Sequence, residues 1–168
     1  MKSGRARIQL LVGFLCISAL GAVALPKEAQ AQSSGQIILT QEEIPTNVSK
    51  KELRKFLRKN KKSVLTQKAG STSYQLYAAT RLRRKPSQAD LKRNGGQIHV
   101  AFYEKQKRGW KYINVMHIGY SQGLTLILPL KITDDLGLSK GKRYQMRITI
   151  FDARKKEVVL ARTEFRLK

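Results

Sequence analysis

From Gly70 onward, apolar residues recur at every second position. Tyr74, Leu76, Ala78, Thr80 and Leu82 fall on one side of a strand over 74–82. Ile98, Val100 and Phe102 do the same over 97–103, and the alternation continues through 112–120, 124–132, 143–151 and 158–167. Six strands this closely spaced, with Gly- and Lys-rich turns between them, predict an all-β sandwich or barrel. Upstream the period is helical. Ser49 and Glu52 have capping-box spacing, and Leu53, Phe56 and Leu57 follow as a narrow apolar stripe, which predicts a helix from about Lys50 to Asn60. Gln36–Thr40 (QIILT) reads either as a short strand or as a loosely docked segment, and 83–96 as a basic connection.

The first 31 residues follow a third pattern. Lys2, Arg5 and Arg7 precede an apolar stretch from Ile8 to Leu25, Pro26 breaks it, and Ala29-Gln30-Ala31 supplies small residues for cleavage before Gln32. That order reads as a secretory signal. An uncleaved anchor is the alternative, because a stretch of 18 residues sits at the lower edge of a spanning helix; the Ala-x-Ala ending favours cleavage. Cys16 lies mid-run without the small residues that precede a lipidated cysteine. The expected organisation is therefore a signal peptide over 1–31, a polar segment over 32–70 carrying the basic helix at about 50–60, and a β-sandwich over 71–168. The expected location is periplasmic or extracellular, in a bacterium.

Two stretches carry a resemblance. IHVAFYEKQKRGWKYINV, from Ile98 to Val115, resembles the C–C′ hairpin of immunoglobulin-like or fibronectin type III-like domains, with Trp110 entering the second strand. LGLSKGKRYQMRITIFD, from Leu136 to Asp152, resembles the corner before strand F in such domains. The likeness covers residues 97–168. It implies an immunoglobulin-like antiparallel β-sandwich in which Tyr144 is the corner tyrosine, its hydroxyl returning to the backbone upstream. Two features depart from that pattern: strand B lacks a tryptophan, and a basic helix stands on the N-terminal side. A fold of this kind hosts many unrelated functions, so the likeness speaks to architecture alone.

Composition narrows the chemistry. With 41% hydrophobic residues the 168-residue chain can bury a core, so it is not read as disordered. One cysteine excludes a disulfide framework or a Cys-rich zinc module, and two histidines argue against a His-built metal centre. Asp134 and Asp135 are too few to supply the six to eight oxygens of a calcium site. Pairing Tyr103 with Tyr112 sets Phe102 against Ile113, Val100 against Val115 and His99 opposite Met116, sending His117 to the other face. No P-loop, dinucleotide fingerprint, zincin motif or nucleophile elbow occurs, so the expectation is a non-enzymatic protein without a cofactor.

The charge is informative. There are 34 Lys+Arg against 11 Asp+Glu, a net +23. Eight of the basic residues fall between Lys50 and Lys62, including Lys51, Arg54, Lys55, Arg58 and Lys59. This helix reads either as attracted to an anionic membrane surface or as docked on the sandwich with its basic face in water. A second group emerges when the last hairpin is folded. Ile150 against Val159, Ile148 against Ala161 and Tyr144 against Phe165 bury one face, which puts Arg147 beside Arg162 and Arg143 beside Arg166 on the other. Like charges so opposed cost stability, and a bound anion would relieve them. With strand C beside strand F, Tyr103, Tyr112 and His99 would share that face and offer stacking surfaces. Alternatively, the arginines turn to Gln145 and Glu164. A third run, 81–93, adds six basic residues to the field.

The leading expectation is an exported binding module for an anionic polymer, such as lipopolysaccharide or another acidic cell-surface polymer, or for an anionic membrane surface. Nucleic acid is physically compatible through counterion release, but export argues against a genomic role. The second expectation is a structural or adhesion component of the envelope. It would meet a partner protein through a sheet edge such as Leu124–Leu130, blunted by Pro129.

Overall fold

A computed structural model describes residues 35–121 and 123–168; the expected signal segment, with Cys16, lies outside them. The alternating pattern folds as β-strands. The order is β1 (Gly35–Thr40), α1 (Lys50–Asn60), β2 (Val64–Leu65), β3 (Tyr74–Arg81), α2 (Gln88–Arg93), β4 (Gln97–Gln106), β5 (Gly109–Gly119), β6 (Thr125–Ile132), β7 (Arg143–Phe151) and β8 (Glu157–Leu167). One turn of 3-10 helix, Asp134–Leu136, precedes β7. The strands form one curled, mixed sheet in the order β5-β4-β7-β8-β1-β3-β6, with β2 added beside β8, an arrangement compatible with a β-sandwich-like fold.

The core lies on the inner face of this sheet. Ile98, Val100 and Phe102 of β4 meet Tyr144, Met146 and Ile148 of β7 there, all fully buried. Leu76 and Ala78 of β3 and Leu126 and Leu128 of β6 close the core from the other half. Each large aliphatic side chain, and Phe102, contributes roughly 1.5–3 kcal/mol by leaving water. The Tyr144 ring is fully buried, and its hydroxyl accepts from the Ser139 amide at 2.6 Å and donates to the Ser139 carbonyl at 3.0 Å. The return to the upstream backbone that the resemblance implied is present.

The QIILT segment is a strand, and a central one. β1 pairs antiparallel with β3 over Gln36–Thr40 and parallel with β8 at Gly35 and Gln36. Residues 35–40 therefore belong to the same sheet as β3 to β8. Gly35 is the narrowest point: a Cβ there would overlap the carbonyls of Arg81 and Leu160 and lie 2.6 Å from the Arg83 amide nitrogen. Only glycine lets β1 enter the gap.

Helix α1 begins at the predicted box. Ser49 accepts from the Glu52 amide, and Glu52 reaches back to the Ser49 amide at 2.9 Å. The Ser49 hydroxyl, which donates to Glu52 Oε2 at 2.7 Å, and then the Ser49 amide hold the Glu52 carboxyl below its ordinary value. The stripe Leu53, Phe56 and Leu57 packs with Ile38, Ile44, Tyr77, Ala79 and Ile127, a second apolar cluster on the outer face of β1, β3 and β6. The stripe is thus used up in docking.

The connection over 83–96 contains an element that the alternation did not announce. α2 starts at Ser87, whose side chain accepts from the Asp90 amide, and buries Leu91. Two strand pairings also slip by one residue. A bulge between Phe102 and Tyr103 moves β5 against β4, and another between Ile148 and Thr149 moves the tip of the last hairpin.

Candidate functional site

The outer face of β5, β4, β7 and β8 collects most of the residues singled out from the sequence. Arg147 stands opposite Arg162 and Arg143 opposite Arg166, in the register expected. Nearer the hairpin tip the bulge changes that register, so Ile150 meets Val158 and not Val159. β4 lies beside β7, which places Tyr103 next to Gln145 and, through its other edge, opposite Tyr112.

The four arginines have different surroundings. The Arg147 guanidinium stacks 3.9 Å from the centre of the Tyr103 ring, donates from Nε to Gln145 Oε1, and lies 4.0 Å from the Glu157 carboxylate. Tyr103 donates to Glu157 at 2.8 Å. Burial and that hydrogen bond push the Tyr103 hydroxyl up to about 12, so it remains a donor. Stacking and hydrogen bonding of this kind suit the planar fork of arginine. Arg147 is consequently held in place with its charge partly answered. Arg143 pairs with Glu164 at 2.9 Å, an exposed pair of small energetic weight. Arg162 and Arg166 are exposed and make no side-chain hydrogen bond or ion pair among the described residues.

Of the aromatic residues expected to offer stacking surfaces, Tyr112 does so. It is 52% exposed and meets Tyr103 edge to face, with ring centres 5.7 Å apart. Tyr103 is covered by Arg147. His99 is only 7% exposed and offers no open ring.

His99 also corrects the expected histidine geometry. The bulge at Phe102 shifts the rest of β5 by one residue, so His99 faces His117 rather than Met116, and the two Nδ1 atoms lie 2.9 Å apart. Asn94 settles the proton positions. Its Nδ2 donates to the carbonyls of Asp90 and Phe151, leaving Oδ1 to accept from the Phe151 amide and from His99 Nε2. Neutral His99 therefore presents a bare Nδ1, and His117 donates to it. A proton on both Nδ1 atoms would destroy the contact. Burial, followed by the proximity of His117, lowers the His99 pKa, while Glu157 opposes the shift. The described residues contain no group of three or more metal-ligating side chains.

Sequence reasoning missed two residues on this face. Gln36 of β1 lies beside Arg162 of β8 on one side and Arg81 of β3 on the other. The sequence pattern puts Arg81 at the end of the strand over 74–82 and in the basic run over 81–93, but not beside Arg162. Both positions depend on β1 entering between β8 and β3, which nothing local to either residue announces.

The five cations of α1, Lys51, Arg54, Lys55, Arg58 and Lys59, are all exposed. They occupy the solvent side of a helix docked on the outer face of β1, β3 and β6, the face that also carries Arg81. The two basic groups read separately along the chain thus lie on the outer face of one curled sheet, linked laterally through Arg162, Gln36 and Arg81. An open depression of about 390 Å³, lined by Lys68, Ser71, Ser73, Gln75, Pro129, Leu130 and Lys131, lies farther along β3 and β6. No protein-family model and no curated protein matches the chain.

Proposed function

We propose that the protein is an exported, non-enzymatic binding module of immunoglobulin-like type that recognises an anionic partner through its basic outer face. The architectural part is supported by the strand order. β4, β5, β7 and β8 correspond to C, C′, F and G, and β1, β3 and β6 to A, B and E. The hydrogen bonds between Tyr144 and Ser139 support it too. Export rests on the signal pattern of residues 1–31.

The observation that carries the functional reading is the outer face itself. Arg162, Arg166 and Arg81, without side-chain partners among the described residues, share it with the five exposed α1 cations, while Arg147 and Tyr103 form a fixed, partly buried support. Docking of the α1 stripe favours a polymer or headgroup ligand held by charge over insertion of that helix into a bilayer. Titration with heparin and with lipopolysaccharide across a range of ionic strength tests the reading. Binding that weakens steeply with salt is expected. Absence of binding even at low ionic strength refutes it.

A structural role remains the second reading, favoured by one observation. β5 is an edge strand of 11 residues without proline, longer and less blunted than β6 with its Pro129. Strand addition there relies on backbone hydrogen bonds and would be insensitive to salt.

A further inference from the structure

The pairing registers place seven residues in one line across the sheet. Val115 of β5, Ala101 of β4, Arg147 of β7, Arg162 of β8, Gln36 of β1, Arg81 of β3 and Thr125 of β6 are successive lateral neighbours. Lateral neighbours point to the same side of a sheet, here the outer one. No acid interrupts the line. We propose that Arg162, Gln36 and Arg81 form one binding row for a linear acidic polysaccharide lying across the strands, over the junction where β1 joins β8 to β3. This rests on the polyanion reading above and specifies the site and the ligand.

Three observations point to this row. First, Arg162 and Arg81 are exposed and without side-chain partners among the described residues, whereas Arg147 is stacked on Tyr103 and Arg143 is paired with Glu164. An anion arriving at the row meets two unengaged guanidinium forks with an exposed amide between them, all able to donate to sulfate, phosphate or carboxylate oxygens. Second, adjacent strands are about 4.8 Å apart, so Arg162 and Arg81 stand about 10 Å apart on a backbone held by β1. That separation accommodates two anionic groups of one chain rather than a single small ion. Third, the next line of the outer face, Ile38, Ala79 and Ile127, is covered by the α1 stripe, so the basic helix stands beside the row.

The aromatic residues decide between a polysaccharide and single-stranded nucleic acid. Nucleic-acid grooves stack successive bases on a series of exposed rings. The most exposed rings of this face are Tyr112, in line with Gln145 through Tyr103, His117, opposite His99, and Phe151. Gln145 and Phe151 are six residues apart on β7, about 20 Å along the strand. None of these rings stands on the row, whose other lateral positions are Val115, Ala101, Gln36 and Thr125, and a cationic row with no ring along it suits a charged polysaccharide better than stacked bases.

The test is calorimetric titration at fixed ionic strength with size-defined heparin, polygalacturonate and a mixed-sequence single-stranded DNA. The variants are Arg81→Ala with Arg162→Ala, and Lys107→Ala with Arg108→Ala in the exposed β4–β5 turn as an equal-charge control. The row variant is expected to lose at least tenfold in affinity for heparin or polygalacturonate, and the control about twofold or less. Both should melt like the parent, since none of the four side chains holds a described partner. The two polysaccharides tell whether sulfate or carboxylate is preferred. Equal losses in the two variants overturn the row and leave the polyanion reading standing. Failure of the parent to bind any of the polymers overturns both. DNA binding as tight as heparin binding, lost equally in the row variant, overturns the choice of polysaccharide.

Discussion

Replacing Gly35 by alanine should be among the most damaging single changes in the chain. The added methyl group would overlap the carbonyls of Arg81 and Leu160, in the two strands flanking β1, and crowd the amide of Arg83 just beyond β3, all backbone atoms. None can rotate away, so the start of β1 must leave the gap. Its departure breaks the pairing of Gly35 and Gln36 with β8 and of Gln36 with Arg81, and loosens the Arg83 amide bond to the Leu160 carbonyl, 2.9 Å long. Two or three lost hydrogen bonds at about 1 kcal/mol each, with partial exposure of the buried Ile37 side chain, give about 3–5 kcal/mol. A domain of this size holds roughly 5–15 kcal/mol in total. Urea unfolding followed by circular dichroism measures the effect, and at about 1.5–2 kcal/mol per molar the midpoint should fall by roughly 2 M. Gly119→Ala is the control, because a Cβ there meets nothing within 4 Å. A Gly35→Ala midpoint within about 0.5 M of the parent would show that β1 is not inserted between β8 and β3.

Two further outcomes follow from the hydrogen-bond geometry. Tyr144→Phe removes a hydroxyl bonded at both the amide and the carbonyl of Ser139, which should cost about 1 kcal/mol and lower the melting temperature by about 4 °C, with an unchanged β-type spectrum; an unaltered melting curve contradicts the corner. Because the folded-state pKa of His99 is depressed, the stability linked to it is complete above its unfolded value near 6.5 and is lost as pH falls below that value. Glu52 and Asp152, whose pKa values are also lowered, respond only below about 4.5, so between pH 6.5 and 5 the parent should lose stability faster than His99→Gln, and parallel curves refute the pairing.

The fold was legible wherever a local pattern carries the information. A two-residue period located β3, β4, β6, β7 and β8 closely because each buries one face, and the Ser49–Glu52 box fixed the start of α1 to the residue. Gln36–Thr40 stayed ambiguous for a physical reason. A stretch with three apolar residues states that it will be buried and not between which strands, and β1 owes its place to partners 37–45 and 126 residues away. α2 escaped notice because one buried leucine, Leu91, makes no stripe; Ser87 followed by Asp90 was its available signal, since serine with an acid three residues on is itself a helix start.

The candidate site shows the same division more sharply. Arg143 opposite Arg166 and Arg147 opposite Arg162 required only that alternation continue inward along one hairpin, and there it does. His99 opposite Met116 required alternation to continue across position 102 of a neighbouring strand, where the bulge intervenes. A single extra residue in β5 reverses which side chains face one another while leaving Ile98, Val100 and Phe102 in the core, so the apolar pattern of β4 cannot report it. The consequence is chemical. Without the bulge, His117 would point away from His99; with it, the two imidazoles share one proton position beside Asn94. Arg81 was hidden for a related reason, since its neighbourhood with Arg162 passes through β1 and so through the parallel contact that Gly35 permits. The residue that determines stability at the junction is therefore also the one that lines up the cations above it. Displacing β1 should disperse that row even though no arginine has been touched.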